Sequence, residues 1–191
     1  MAMPLIVPLV DRGPFTVDDY HRMVEVGLLD EDSRVELLDG LIIVMGPIGH
    51  RHASCVNRLT DRFAQTMAGR VSLSVQNPVV LDSRSEPQPD VAILPYRRDG
   101  YAEAHPGPAD VLLCIEVMDS SAERDRRLKV PLYARSGIRE LWLVDLQEGQ
   151  IEVHREPGPS GYASVHRVSR GERLTPHLLE DVTLSAADIL D

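Results

Sequence analysis

The segment Val111–Met118, VLLCIEVM, constrains this chain more than any other, because a nearly unbroken apolar run of strand length must be covered on both faces. Residues 122–136 follow with helical character, Gly137 stops them, and ELWLVD at 140–145 reads as a second strand. A strand, a helix and a strand in that order imply a right-handed parallel crossover, which buries its strands only if helices lie against the sheet. One residue breaks the apolar run, and it is an acid, Glu116.

The flanking segments supply the remaining layers. Thr16 is placed to cap a helix over VDDYHRMVEVGLL, with Asp18 and Asp19 in the first turn, where the helix dipole favours anions. RVELL and LIIVM flank Asp39-Gly40, a strong short signal for a β-hairpin. From about His52 to Met67 the residues Val56, Leu59, Phe63 and Met67 recur at helical spacing, and Gly69 follows as a C-terminal stop. VSLSV, PVVLD and DVAIL read as short strands, with a Pro-rich stretch before the last, and 95–109 as a loop. IEVHRE and YASVHRV around Pro-Gly-Pro-Ser-Gly predict a trailing hairpin, and Ser185 is placed to cap a short AADIL helix. The expected architecture is α/β: a mixed sheet with helices on both faces, an N-terminal helix and hairpin, and a C-terminal β-hairpin. One domain spans 1–191, with its core at about 15–155 and a C-terminal extension at 156–191.

Composition narrows the function. Aromatic residues make up 4% of the chain, too few for a platform that stacks single-stranded bases or sugars. The formal charge of -10 runs against phosphate binding unless positive charge is local. Local clusters exist: Arg51, Arg58 and Arg62 share a segment, Arg97 and Arg98 sit in a loop, and Arg124, Arg126, Arg127 and Lys129 form a third group. Cys55 and Cys114 lie far apart in apolar segments, which predicts buried reduced thiols rather than a zinc or redox motif. Met1–Val10 is apolar but holds Pro4 and Pro8, lacks a basic start and precedes Asp11, so it reads poorly as a signal peptide. With no membrane-spanning run either, the expected location is the cytoplasm.

The candidate chemistry begins at Glu116. An ionised carboxylate in that strand must be paired, hydrogen-bonded or bound to a cation, or it takes up a proton. Asp90 opens DVAIL after the rigid Pro89. If the two strands are neighbours their carboxylates converge, and two such charges at about 4 Å repel by roughly 1 to 4 kcal/mol, a repulsion that a divalent cation reverses. Hard oxygen ligands with room for water suit magnesium, which activates water against a phosphodiester. Lys129 lies one helical turn after Asp125, so Asp125 can orient its ammonium. From spacing alone, that pair is as well read as an ordinary surface ion pair, and Asp90 alone as a turn residue; Glu116 favours a functional role.

Taken together in order, ELLDG, a histidine-led helix, Pro89-Asp90, IEVMDSS, Asp125 with Lys129, and ELWLVD resemble the Uma-two family of endonucleases, part of the PD-(D/E)XK superfamily. The similarity runs from about Phe15 to Val153. It implies a restriction-endonuclease-like fold and cleavage of DNA with Mg2+, for which Mn2+ can substitute. Under it Asp90 and Glu116 are the metal ligands and catalytic acids, Lys129 is the catalytic lysine, Glu36 completes or orients the shell, and His52 borders the site. Met118 stands where the superfamily usually has its lysine; in this family the lysine has moved to the following helix, where Lys129 stands. Asp119-Ser120-Ser121-Ala122 replaces the usual Ser-Pro-Ser-Thr-like turn and adds a carboxylate, and Pro131 predicts a kink or early break that would shift Lys129. A nuclease-fold module that binds metal or a partner without cutting is the alternative, hydrolysis of a small phosphodiester is a third reading, and a homodimer would bring two arginine strips around one duplex.

Other signals carry less. His50 and His52 form an HxH pair, but at a helix start, where His50 is expected to be solvated. No GxSxG elbow and no glycine-rich phosphate loop occurs. Trp142 and Tyr133 read as core residues of the crossover, without a catalytic role.

Overall fold

The computed structural model describes residues 13–30, 32–119 and 122–191, without the side chains of Ala122, Arg124 and Asp125. The segment Met1–Val10, the turn residues Ser120 and Ser121, and the predicted contact of Asp125 with Lys129 lie outside the described residues.

The chain opens with α1 (Val17–Glu25), whose Thr16 cap is a complete capping box with Asp19. A two-stranded hairpin follows, β1 (Val35–Leu38) and β2 (Leu41–Val44). Asp39 and Gly40 turn it with φ of 52° and 77°, the left-handed pair that a two-residue hairpin needs. A Cβ at residue 40 would run into the Pro14 ring, so the tight packing there also requires glycine. Next come α2 (His50–Met67), β3 (Val71–Val75), β4 (Val91–Pro95), a 3-10 turn at Pro108–Asp110, and β5 (Leu113–Met118). The crossover helix α3 (Ala122–Arg135) leads to β6 (Glu140–Asp145), β7 (Gln150–Gly158) and β8 (Gly161–Ser169). β9 (Arg173–Leu174), β10 (Leu184–Ser185) and α4 (Ala186–Leu190) complete the chain.

The main sheet runs β3-β4-β5-β6-β7-β8, with β5 and β6 parallel and the other neighbours antiparallel. Strand alternation divides the core in two. Ile93, Ile115, Val117, Trp142 and Val144 join Leu59 and Phe63 of α2 on one face, whereas Ala92, Cys114, Met118, Leu141 and Leu143 join Leu132 and Tyr133 of α3 on the other. Glu116 has the parity of Cys114 and Met118, so β5 aims it at α3. The mixed sheet with helices on both faces is the architecture expected from the crossover.

Three local expectations are corrected. PVVLD is irregular rather than a strand, because Pro78, Pro87 and Pro89 remove ladder donors; Val79, Val80 and Leu81 instead donate to the carbonyls of Pro87, Pro106 and Ser85. Pro131 does not break the crossover helix, which continues through it to Arg135. Ser185 occupies the N-cap of α4 but its side chain makes no capping bond.

Residues beyond 155 supply the end of β7 and all of β8, and Leu174, Leu179, Val182, Leu184, Ile189 and Leu190 enter the core on the α2 face. Cys55 and Cys114 are buried and free. Among the described residues no helix is long and apolar enough to cross a membrane.

Candidate active site

Antiparallel pairing of β4 with β5, opposite the hairpin and below α3, brings distant acids into one cleft of about 820 Å3. Glu36 from β1, Asp90 from the residue before β4, Glu116 from β5, Lys129 from α3 and His52 from α2 all line it, together with Gln76 and Gln88. Pro89 matters here because it ends the irregular approach and lets the ladder begin at Val91, leaving Asp90 at the cleft.

The amine is the hub. Lys129 Nζ lies 3.0 Å from Glu116 Oε1 and 3.1 Å from Glu36 Oε2, and all three side chains are more than nine-tenths buried. Tyr133, one helical turn beyond Lys129, donates to the same Glu116 Oε1 at 2.6 Å. The Gln88 backbone N–H donates to Glu36 Oε2 at 3.3 Å. Asp90 is held differently: the Val117 N–H donates to Oδ2 at 2.8 Å, His52 Nε2 lies 3.0 Å from that oxygen, and Gln76 donates to Oδ1 at 3.2 Å.

These environments push the two strand acids apart. Burial raises the pKa of Glu116 to about 8, with the charges of Asp90 and Glu36 adding to it and Lys129 only partly offsetting it. Burial also pushes Asp90 upward, but its bonds from His52, Val117 and Gln76 prevail and leave it below the usual carboxylate range. His52 is raised, first through its hydrogen bond to Asp90. Burial thus favours the protonated form of Glu116 while its bonds favour the charged form of Asp90, a division of the kind found where two carboxyls have different tasks.

A carboxylate offers about four lone-pair sites, two on each oxygen. Glu116 and Glu36 each spend theirs on one oxygen, so Glu116 Oε2 and Glu36 Oε1 accept nothing among the described residues. Among the described residues Asp90 Oδ1 takes Gln76 alone and retains room for one more partner. Among the described residues no group of three or more His, Cys, Asp or Glu is arranged to hold a metal ion. Hard oxygens with unused lone pairs nonetheless suit magnesium, which takes one or two carboxylates and keeps several waters. The donor set therefore fits such an ion at Asp90 and Glu116.

The remaining residues fall around this centre. Asp119, the extra carboxylate of the altered turn, lines the cleft and pairs with Arg51 at 3.4 Å. His50 is exposed. His52 Nδ1 is buried without a partner among the described residues. Tyr133 is a core residue, as expected, and its hydroxyl also donates to Glu116, a contact the sequence did not reveal. Gln76 and Gln88 were also missed; Gln88 carries a signal in its place before Pro89-Asp90, and Gln76 carries none.

Comparison with known proteins agrees with this fold. Residues 17–187 match the family model described as "Uma2: Putative restriction endonuclease". This chain belongs to the Uma2 family. The crystal structure of "a putative nuclease belonging to DUF820 from Anabaena variabilis ATCC 29413" superimposes with a TM-score of 0.70 at 15% identity, covering 93% of this chain and 98% of that one. At that identity the likeness speaks for a shared fold. No curated protein matches the chain. Uma2 membership and the fold together make this a restriction-endonuclease-like protein of a nuclease family, whose substrate class is nucleic acid.

Proposed function

We propose that this Uma2 protein is a cytoplasmic endonuclease that hydrolyses DNA phosphodiester bonds with Mg2+, or Mn2+ in its place. The observation that carries the reading is the buried Lys129 amine between Glu36 and Glu116, in a cleft that also holds Asp90. Asp90 and Glu116 are the residues that would hold the ion. When bound, the ion supplies charge neutralisation at the phosphate and a more acidic water. Lys129 then stabilises negative charge as it develops on the attacked phosphate, Glu36 and the Gln88 N–H keep its amine in place, and His52, Gln76 and the Val117 N–H orient Asp90. Substituting Asp90→Ala or Lys129→Ala is expected to abolish Mg2+-dependent nicking of plasmid DNA while circular dichroism stays native. Variants that cut as well as the parent overturn the assignment.

A second reading, a metal- or partner-binding module that does not cut, is favoured by a different observation. Of the arginines expected to form a strip on α2, Arg58 donates to the Ile189 carbonyl at 3.1 and 2.9 Å and Arg62 pairs with Asp188 at 3.3 Å, so both are committed to the C-terminal segment. On a chain of net charge -10 this takes two of the α2 arginines out of the positive surface open to a duplex. Calorimetry with Mg2+ or Mn2+ beside cleavage assays on several nucleic acids separates the readings, since uptake of metal without turnover supports the module. Homodimerisation around a duplex would restore local positive charge, and a monomer in light scattering at assay concentration counts against it.

A further inference from the structure

The two oxygens of Glu116 have different surroundings. Oε1 receives both the Lys129 ammonium at 3.0 Å and the Tyr133 hydroxyl at 2.6 Å, which fills its two lone pairs, while Oε2 accepts nothing among the described residues. The two donors also differ. Lys129 is shared with Glu36 at 3.1 Å and ends a flexible stem, whereas the Tyr133 ring is fully buried among Leu132, Ile138, Leu141 and Leu143. A phenol held by its ring in this way can move its hydrogen only by rotation about the C–O bond. The aim of its donated bond is therefore set by the packing of α3 on the sheet.

We propose that Tyr133 is a positioning residue for Glu116, fastening Oε1 to the protein interior so that Oε2 is presented to a divalent cation in the cleft. The inference rests on the proposed metal-dependent function and deepens it. Tyr133 touches neither substrate nor cation; it acts through the carboxylate. The arrangement also releases Lys129 from holding Glu116 still: when the amine turns toward a phosphate, the phenol keeps the carboxylate aimed. Without the hydroxyl, Glu116 is tethered among the described residues only by a side chain that the proposed reaction needs elsewhere.

The competing account is a tyrosine whose buried hydroxyl merely finds the nearest acceptor, and it predicts a different set of measurements. On that account Tyr133→Phe lowers thermal stability but leaves cation affinity as it was. On the present one, Tyr133→Phe weakens binding of Mg2+ in calorimetry by about tenfold or more, as expected for loss of a partner that orients a metal ligand. Its cleavage defect is recovered by raising the metal concentration, so the metal concentration for half-maximal activity rises while kcat at saturation changes less than about threefold. A folded Tyr133→Phe protein that binds Mg2+ as tightly as the parent overturns the inference and leaves the proposed function standing. A parent that takes up no Mg2+ and cuts nothing removes the proposed function, and this inference with it. Should Tyr133→Phe fail to fold, fluorotyrosine placed at 133 keeps the hydroxyl. Its fluorine resonance is expected to move with Mg2+ along the calorimetric saturation curve, and a resonance indifferent to Mg2+ in a protein that binds the ion overturns the inference.

Discussion

Helix α3 serves two buried acid clusters from positions three residues apart, and they are built to opposite ends. Arg126 donates to Asp145 at 2.7 Å and to Glu152 at 3.2 and 3.4 Å, while the backbone N–H groups of Gln147 and Glu148 each add a bond to Asp145 at 3.0 Å. Burial pushes both acids upward in pKa, yet these bonds leave both below their ordinary values. Lys129 serves Glu36 and Glu116, and there burial prevails, with Glu116 raised to about 8. A planar guanidinium engages two acids at once and leaves them content as anions; a single ammonium between two acids leaves oxygens unused and one proton retained. The first pattern is what stability asks of buried charge, the second what the proposed cation site would ask of it.

Substitution at the two bases should therefore damage different properties. Lys129→Met is expected to reduce cleavage by about 100- to 1000-fold, the range for loss of a preorganised charge facing the reaction centre. Arg126→Met is expected to leave cleavage within a few-fold of the parent. It should instead lower unfolding free energy by about 2 kcal/mol at pH 7, below the usual cost of breaking a fully buried pair because the Arg126 side chain is 35% exposed. The sign with pH is fixed. Asp145 and Glu152 have folded-state pKa values below their unfolded ones, so their stabilisation is present above the unfolded values near pH 4 and is lost as pH falls through the folded values. Denaturant melts of parent and Arg126→Met should converge in acid. A difference that persists at low pH would assign the loss to packing of the arginine stem.

The retained proton gives the cleft its own pH signature, opposite in kind. Below about pH 8 a cation at Glu116 must displace a proton, so Mg2+ affinity is expected to rise by about tenfold per pH unit from 6 to 8 and to level off above. His52, raised through its bond to Asp90, works in the same direction, because its positive form repels the ion. Calorimetry in buffers of differing ionisation enthalpy reads the released protons directly. A flat affinity between pH 6 and 8 would leave the contrast between the two clusters without its functional half.

Much of this was legible in the chain, for identifiable reasons. The apolar run around Glu116, Gly137 and ELWLVD specified the crossover, and Asp39-Gly40 specified the hairpin that carries Glu36, because each element follows from local pattern. The ordered motifs marked Asp90, Glu116, Lys129, Glu36 and His52, and the fold gathers all of them into one cleft. Tyr133 was hidden because a fully buried tyrosine and a core tyrosine look the same until its hydroxyl has an acceptor. Gln76 reaches Asp90 across the β3-β4 connection, a contact that no periodicity reports. The fate of the arginines was equally out of reach: Arg58 and Arg62 sit on α2, but their partners Ile189 and Asp188 lie on a helix more than a hundred residues away.

The smallest effect tests whether the clusters are independent. Arg126 and Lys129 share a helix but, in the bonds described, no partner: one engages Asp145 and Glu152, the other Glu36 and Glu116. If the two clusters are independent despite standing one turn apart on the helix, their effects add within about 0.5 kcal/mol. Mg2+ should accordingly stabilise Arg126→Met as much as it stabilises the parent, to within that margin, in paired denaturant melts with and without the ion. A larger gap would mean that α3 shifts when its arginine anchor is lost and carries Lys129 with it. The arginine cluster would then belong to the mechanism as the support that holds the amine between its two acids.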